Sequence, residues 1–259
     1  MKYKAVTLVE RPELGITPDL FLVVTLETPD LEDGQFLLKQ THMSLDPAMR
    51  GWMTDDRNSY IPPVELGEIM RSSGVAEVVE SRHDDFAVGD RVVGMIGWTE
   101  YAVSDGQGLN KLPPGISAEA VLCVLSLPGL TAYQGLMEIG KPKAGETLVV
   151  SGAAGSVGSM VGQLAKAEGL TVIGTAGSDD KCRWLEDELG FDKAINYKSD
   201  GLAEQIRDAT PQGVDLYFEN TGGPVQHIVF DQMNAHGRII VCGMIADYNT
   251  DKPSPGPNW

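Results

Sequence analysis

A Gly-rich turn between two short β-branched runs constrains this chain more than any other feature. Residues 147–151, Thr-Leu-Val-Val-Ser, read as a buried parallel strand. Gly152-Ala153-Ala154-Gly155-Ser156-Val157-Gly158 follows at once, and a helical period runs over 157–168 until Gly169. A second buried run, 170–175, completes strand, tight turn, helix and strand within about 30 residues. The glycines are spaced G-x-x-G-x-x-G rather than G-x-G-x-x-G, so on their own they are a weak signal. Their place between a strand and a helix is what phosphate binding demands. Gly152 is expected to allow the turn, Gly155 to let the backbone approach a pyrophosphate, and Gly158 to let the helix pack on the sheet. Free N–H groups at the helix N-terminus, aided by its dipole, would hold the phosphates.

Strand and helix keep alternating around this unit. A helical period over 129–139 ends at Gly140 and Pro142. Beyond the turn come a helix over 180–189, a strand over 193–196, a helix over 201–208, a strand over 214–218, a helix near 226–233 and a strand over 238–241. This predicts an α/β domain with a doubly wound parallel sheet (Rossmann) over residues 123–259. The first half reads differently. Short apolar runs at 21–26, 36–41, 74–79 and 91–95 are separated by turn residues and frequent prolines. They predict an antiparallel, partly open β-barrel domain over residues 1–122. The tail from 252 to 259 is rich in Pro and Gly and reads as loop.

Composition narrows the function classes. With 259 residues and 42% hydrophobic content the chain can build a sizeable core, in one large domain or two smaller ones. The formal net charge of −17 argues against nucleic acid and anionic membrane as partners, since both need clustered Lys and Arg. No run of about 18 consecutive apolar residues predicts a membrane span. No basic stretch followed by an apolar block opens the chain, so no signal peptide is expected. Cys123, Cys182 and Cys242 are odd in number and far apart, which suggests neither disulfides nor a CxxC metal site. The expected compartment is the cytoplasm.

The end of the second buried run bears on which dinucleotide is read. An NAD site places Asp or Glu there to bond the ribose 2′-OH. Here the residues are Gly174-Thr175-Ala176-Gly177-Ser178. Gly177 and Ser178 offer room and a hydroxyl, and Lys181 on the next turn could neutralise a 2′-phosphate as a point charge. Asp179 and Asp180 count against this unless they serve the helix N-terminus, which its dipole favours. The balance favours NADP(H).

These residues resemble the zinc-independent medium-chain dehydrogenases/reductases, and within them the double-bond reductases that include the prostaglandin and curcumin reductases. The matching words run along the whole chain. They include Ser44-Leu45-Asp46-Pro47-Ala48-Met49-Arg50, Gly97-Trp98, Gly177-Ser178-Asp179-Asp180-Lys181, Asn196-Tyr197, Glu219-Asn220-Thr221-Gly222-Gly223, Cys242-Gly243 and Asp247-Tyr248-Asn249. The stretch Ser59-Tyr60-Ile61-Pro62-Pro63 is closest to the curcumin reductase branch. The resemblance implies a GroES-like first domain and an NADP(H)-binding second one. It implies that Gly155, Ser156, Val157 and Gly158 meet the pyrophosphate, and that Gly177, Ser178, Lys181 and Tyr197 meet the adenosine 2′-phosphate. Asn220, Cys242, Gly243, Met244 and Tyr248 would line the nicotinamide side. Bland readings stand beside these. Tyr197 could be a surface aromatic, Asn220 a helix cap, and Cys242 a packing residue. Family members run longer than this chain, so a C-terminally shortened form is expected. The missing part would carry the last strands of the cofactor domain, the dimer-forming strand and a late cofactor-binding Asn. The family is usually homodimeric; for this chain that stays open.

Family alcohol dehydrogenases bind a catalytic zinc, but the landmark here reads Leu66-Gly67-Glu68-Ile69 with no His. His42, His83, His227 and His236 lie apart and pair with no cysteine, so no metal is expected. Without a Lewis acid, carbonyl reduction loses its polarising group. An activated C=C needs less: hydride goes from nicotinamide C4 to the β-carbon of an enone or enal, and a donor stabilises the enolate oxygen. Tyr248 and Tyr60 are the donor candidates. Trp98 and Tyr60 are candidates to contact the substrate, with Trp98 equally readable as barrel core, and Arg50 suits a structural ion pair better than a substrate anchor. The leading expectation is an NADPH-dependent alkenal/one reductase. Quinone reduction and non-catalytic NADP(H) binding are the alternatives.

Overall fold

The computed structural model describes residues 1–252; positions 253–259 of the Pro- and Gly-rich tail lie outside the described residues. The chain divides into two compact units, Met1–Leu122 and Cys123–Trp259.

In the first unit, β1 (Lys2–Leu8) and β2 (Phe21–Glu27) pair antiparallel, Lys2 opposite Glu27 and Leu8 opposite Phe21. The alternation Lys-Tyr-Lys-Ala-Val-Thr-Leu buries Ala5 and Thr7 on one face, and Leu8 at the strand's end is buried on the other. A second sheet holds β3 (Phe36–Met43), β4 (Ser73–Ser81), β5 (Arg91–Met95), β6 (Tyr101–Ser104) and β7 (Asn110–Lys111), in the order β6-β3-β4-β5-β7 and antiparallel throughout. Register shifts between Leu37 and Leu38 and between Gln40 and His42 bend β3, as bulges do in partly closed barrels. Phe36, Leu38, Ala76, Val78 and Val92 fill one core, with Phe86 stacked on Phe36 at 4.4 Å. A short helix, α1 (Met49–Trp52), places Met49 and Trp52 in another core with Leu8, Val64 and Met70.

The second unit is a parallel sheet with helices on both faces. A helical stretch passes from a π turn (Ala120–Val124) through α2 (Leu127–Tyr133) into a second π segment (Gln134–Gly140). Then β8 (Thr147–Val150), α3 (Ser156–Ala167), β9 (Thr171–Ala176), α4 (Asp179–Asp187), β10 (Lys193–Asn196), α5 (Leu202–Ala209), β11 (Val214–Glu219), α6 (Gly223–Phe230) and β12 (Met233–Val241) alternate. The strand order is β10-β9-β8-β11-β12, every pair parallel. Alternation within one strand shows the two layers. Leu148 and Val150 pack with Val161, Ala165 and Leu185, while Val149 between them packs with Ile195, Ile206 and Val229.

Several expectations need correction. The helix expected near 226–233 is α6 at Gly223–Phe230, because Pro224 at its first turn starts it early. The strand expected over 238–241 is β12 and begins at Met233. The stretch Ala120–Gly140 is 21 residues long with a window hydropathy of 1.5, so it has membrane-crossing length and composition although no unbroken apolar run is present. Its inner side, with Ala132 and Leu136 wholly buried, belongs to the core of the second unit.

Arg238 on β12 clasps the start of β8. Its guanidinium makes two bonds to Glu146, at 2.9 and 2.5 Å, and a third to the Gly140 carbonyl at 2.8 Å. The Arg238 bond, ahead of the opposing effect of burial, holds the Glu146 carboxyl below its ordinary value of 4.5. A carboxyl lowered by folding adds stability above its unfolded pKa and loses it as pH falls through the folded value. Acid titration of the melting temperature should therefore show wild type falling below about pH 4.5 more steeply than Glu146→Gln. Parallel curves for the two proteins would refute this.

Candidate dinucleotide-binding site

The C-terminal ends of parallel strands lie on one edge of a sheet, and the crevice there is where α/β folds bind ligands. Each of the five strands of the second unit delivers sequence-predicted residues to that edge. After β8, Ala153 N–H bonds Thr175 O at 2.9 Å and Gly155 N–H bonds Gly152 O at 3.0 Å, which closes the turn. Gly152 takes φ +59 there. Gly155 precedes α3 with no side-chain cap, so the first N–H groups of the helix have no side chain over them. Gly155 and Ser156 are exposed.

Gly158 serves differently from expectation. A Cβ there would lie 2.5 Å from Gly152 O and 2.8 Å from Ala153 Cα, so Gly158 seats the helix on the turn rather than on the sheet. The close approach to the layer below falls one turn later, where a Cβ on Gly162 would meet the Phe191 ring at 2.0 Å.

After β9, Ser178 caps α4, its hydroxyl accepting the Lys181 N–H at 3.4 Å. The two aspartates that weighed against NADP(H) are engaged elsewhere. Asp179 accepts a 2.7 Å bond from Asn196 Nδ2, and Asp180 pairs with Arg183. Both lie in the first turn of α4, where the dipole favours them. Lys181 is exposed, and no ion pair engages its Nζ among the described residues. Tyr197 follows β10, and its hydroxyl lies 3.1 Å from where a Cβ on Gly177 would stand. Lys198, not foreseen from the sequence, sets its ammonium 5.8 Å from the centre of the Tyr197 ring. Gly177, Ser178, Lys181, Tyr197 and Lys198 thus gather at the ends of two adjacent strands.

After β11 and β12 the remaining candidates meet. Asn220 does not cap α6, whose N-cap is Gly222. Instead its Nδ2 donates to Ser151 O at 2.7 Å. Tyr248 folds back so that its hydroxyl accepts the Met244 N–H at 3.4 Å, beside Gly243. Cys242 is exposed as a residue, yet the protein around its thiol desolvates it and pushes its pKa up, which fits an unreactive cysteine. Sequence reasoning assigned no role to Glu219, at the base of these loops. It is wholly buried and bonded by Ser151 and Tyr217. Its only signal was a carboxylate ending the apolar run Leu216-Tyr217-Phe218.

The other candidates belong to the first unit. Tyr60 is 88% exposed in a loop. Trp98 stacks on Phe21, with centroids 5.3 Å apart, against the core of Leu8, Met49 and Trp52. It also lines a groove of about 370 Å³ with Val23, Met43 and His42. Arg50 bonds the Leu14 carbonyl at 3.0 Å. No group of three or more His, Cys, Asp or Glu side chains that could hold a metal occurs among the described residues.

Residues 4–112 match the family described as "N-terminal domain of oxidoreductase", and residues 156–256 the one described as "Zinc-binding dehydrogenase". The chain is 44% identical to the NADPH-dependent curcumin reductase of Escherichia coli, over 97% of this chain and 73% of that one. It is 42% identical to prostaglandin reductase 1 of Bos taurus, over 92% and 71%. Among solved structures, that of CurA in complex with NADPH from Vibrio vulnificus superposes with a TM-score of 0.92 at 42% identity, covering 98% of this chain and 76% of that one.

Proposed function

Because this chain belongs to the medium-chain dehydrogenase/reductase family, in the branch of the curcumin and prostaglandin reductases, we propose that it reduces the C=C bond of α,β-unsaturated ketones and aldehydes with NADPH. The chain is an oxidoreductase, and its cofactor is NADP(H). The observation that carries the proposal is the pairing of a phosphate-ready helix terminus after β8 with the hydroxyl and lysine cluster after β9 and β10, where Asp179 and Asp180 are engaged by Asn196 and Arg183.

The zinc in the second family's description finds no fitting donor set among the described residues, so no step is routed through a metal. The residues present do fit a phosphorylated dinucleotide. NADPH, when bound, supplies a hydride, which with one proton saturates the double bond. The N–H groups of Gly155–Gly158 would hold the pyrophosphate. Lys181, Ser178 and Tyr197 would hold the 2′-phosphate, and Lys198 adds a second cation beside them. Asn220 and the 242–248 loop would flank the nicotinamide. The Tyr248 hydroxyl accepts the Met244 N–H through its oxygen, so its proton would be free for the carbonyl oxygen that becomes the enolate. Tyr60 is the second donor candidate. Trp98, which packs on Phe21 and lines the groove with Val23, Met43 and His42, is a candidate to contact the substrate.

Mixing the protein with NADPH and an enone should bleach the nicotinamide absorbance and yield the saturated ketone. Turnover of quinones but of no enone or enal would replace this reading. Tyr248→Phe should lower kcat about 100-fold, the usual cost of one oxyanion donor, and leave the NADPH affinity near wild type. An unchanged kcat would remove Tyr248 from the chemistry.

A further inference from the structure

Glu219, the last residue of β11, is wholly buried, and none of its hydrogen-bond partners is cationic. Burying a carboxylate without a counter-ion is costly unless donors surround it. Here they do. Ser151 Oγ donates to Oε1 at 2.6 Å and Tyr217 Oη to Oε2 at 2.6 Å. The N–H groups of Thr221 and Gly222 converge on Oε1 at 2.7 and 2.9 Å. Successive backbone N–H groups closing on one anion form a nest, and this chain fills the nest with its own side chain. Burial, followed by the neighbouring Glu219, pushes the Tyr217 phenol far above its ordinary range, so it remains a donor.

The same residue reaches two further segments. Its carbonyl accepts the N–H groups of Cys242 at 2.8 Å and Gly243 at 3.1 Å. Ser151 Oγ, whose hydrogen is directed at Glu219, accepts from the Asn220 N–H at 2.8 Å, and Ser151 O accepts from Asn220 Nδ2 at 2.7 Å. A carbonyl can only accept, so this bond fixes which way the Asn220 amide points. The ends of β8 and β11 are therefore tied to the Glu219 side chain and the end of β12 to its backbone carbonyl, and the 220–222 and 242–243 segments lie on the side assigned above to the nicotinamide.

We propose that Glu219 is a positioning residue: its buried side chain sets the 220–222 turn and, through it, the Glu219 carbonyl that holds the 242–243 backbone, so that Asn220 and the 242–248 loop face the nicotinamide ring. This rests on the NADPH reductase reading. It makes the buried carboxylate specific to one half of the cofactor, because its partners Ser151, Tyr217, Thr221 and Gly222 all lie outside the 177–198 cluster.

The test compares two ligands on the full chain: NADPH, and adenosine 2′,5′-bisphosphate, which has the 2′-phosphate and lacks the nicotinamide. Glu219→Ala should weaken NADPH by about tenfold or more, as expected when a buried charge-assisted bond is lost, and leave the bisphosphate within about twofold. Glu219→Gln keeps an oxygen for Ser151, Thr221 and Gly222 and can donate to Tyr217 Oη, so it should restore most of the NADPH affinity. If Glu219→Ala fails to fold, Tyr217→Phe and Ser151→Ala carry the same comparison. Equal losses for both ligands would reduce Glu219 to a structural role, and no loss for either would remove even that. Wild type that binds neither ligand would overturn the cofactor reading, and the positioning role would fall with it.

Discussion

Gly158→Ala is expected to lower the melting temperature by about 4 to 8 °C and NADPH affinity at least tenfold, although alanine is the better helix former. Two effects oppose each other. Alanine inside a helix gains about 1 kcal/mol over glycine. Overpacking a closed site costs about 1 to 3 kcal/mol, and more where the neighbour cannot yield. Here the neighbours are Gly152 O at 2.5 Å and Ala153 Cα at 2.8 Å, both backbone atoms of the turn itself. They cannot rotate away, so the clash wins and the turn shifts; a net loss of about 2 kcal/mol gives the stated fall at about 2 to 4 °C per kcal/mol. Gly155→Ala is the matched comparison. Its nearest neighbour would be 3.2 Å away, and its φ of −80 and ψ of 169 are open to any residue. It should melt near wild type yet bind NADPH weakly, since its methyl would stand where the pyrophosphate approaches. Thermal melts with and without NADPH check both, and a Gly158→Ala protein as stable as wild type would refute the packing argument.

Lys181→Ala should weaken NADPH about 10- to 100-fold and NADH less than about twofold, the span expected for one charge-assisted bond to a phosphate. The contrast comes from geometry. Lys181 is exposed at the start of α4, beside the Ser178 cap, and Asp179 and Asp180 are held by Asn196 and Arg183. Because the lysine is exposed, the difference should shrink as salt rises. Titration of both dinucleotides at low and high salt measures it. Equal losses for NADPH and NADH would place the 2′-phosphate elsewhere.

The two predictions draw on features that were unequally legible in the sequence. The βαβ unit around Gly152 was plain because β8 and β9 are buried on both faces and read as unbroken β-branched runs. The ends of α3, α4 and α5 fell within a residue or two of expectation because Gly169, Gly190 and Gly201 punctuate them. β1 was missed as a strand although its residues alternate, because both faces carry polar and apolar side chains. β7 has two residues and α1 four, too few for a period to register. The adenosine end of the site could be read locally, since Gly177, Ser178 and Lys181 are neighbours in sequence. The Glu219 network could not: Ser151 and Asn220 are 69 residues apart, and only the pairing of β8 with β11 brings them together. The engagement of Asp179 by Asn196 was hidden for the same reason, across 17 residues.

The strand order β10-β9-β8-β11-β12 also acts as a ruler. Parallel neighbours sit about 4.8 Å apart, so the edge that carries the site spans about 19 Å from β10 to β12. The groups proposed to select the phosphate mark one end of that scale, the turn after β8 its midpoint, and the loops gathered by Glu219 the other. Cofactor preference and hydride delivery are then graduations on one rigid rule, and either can be re-cut without moving the other.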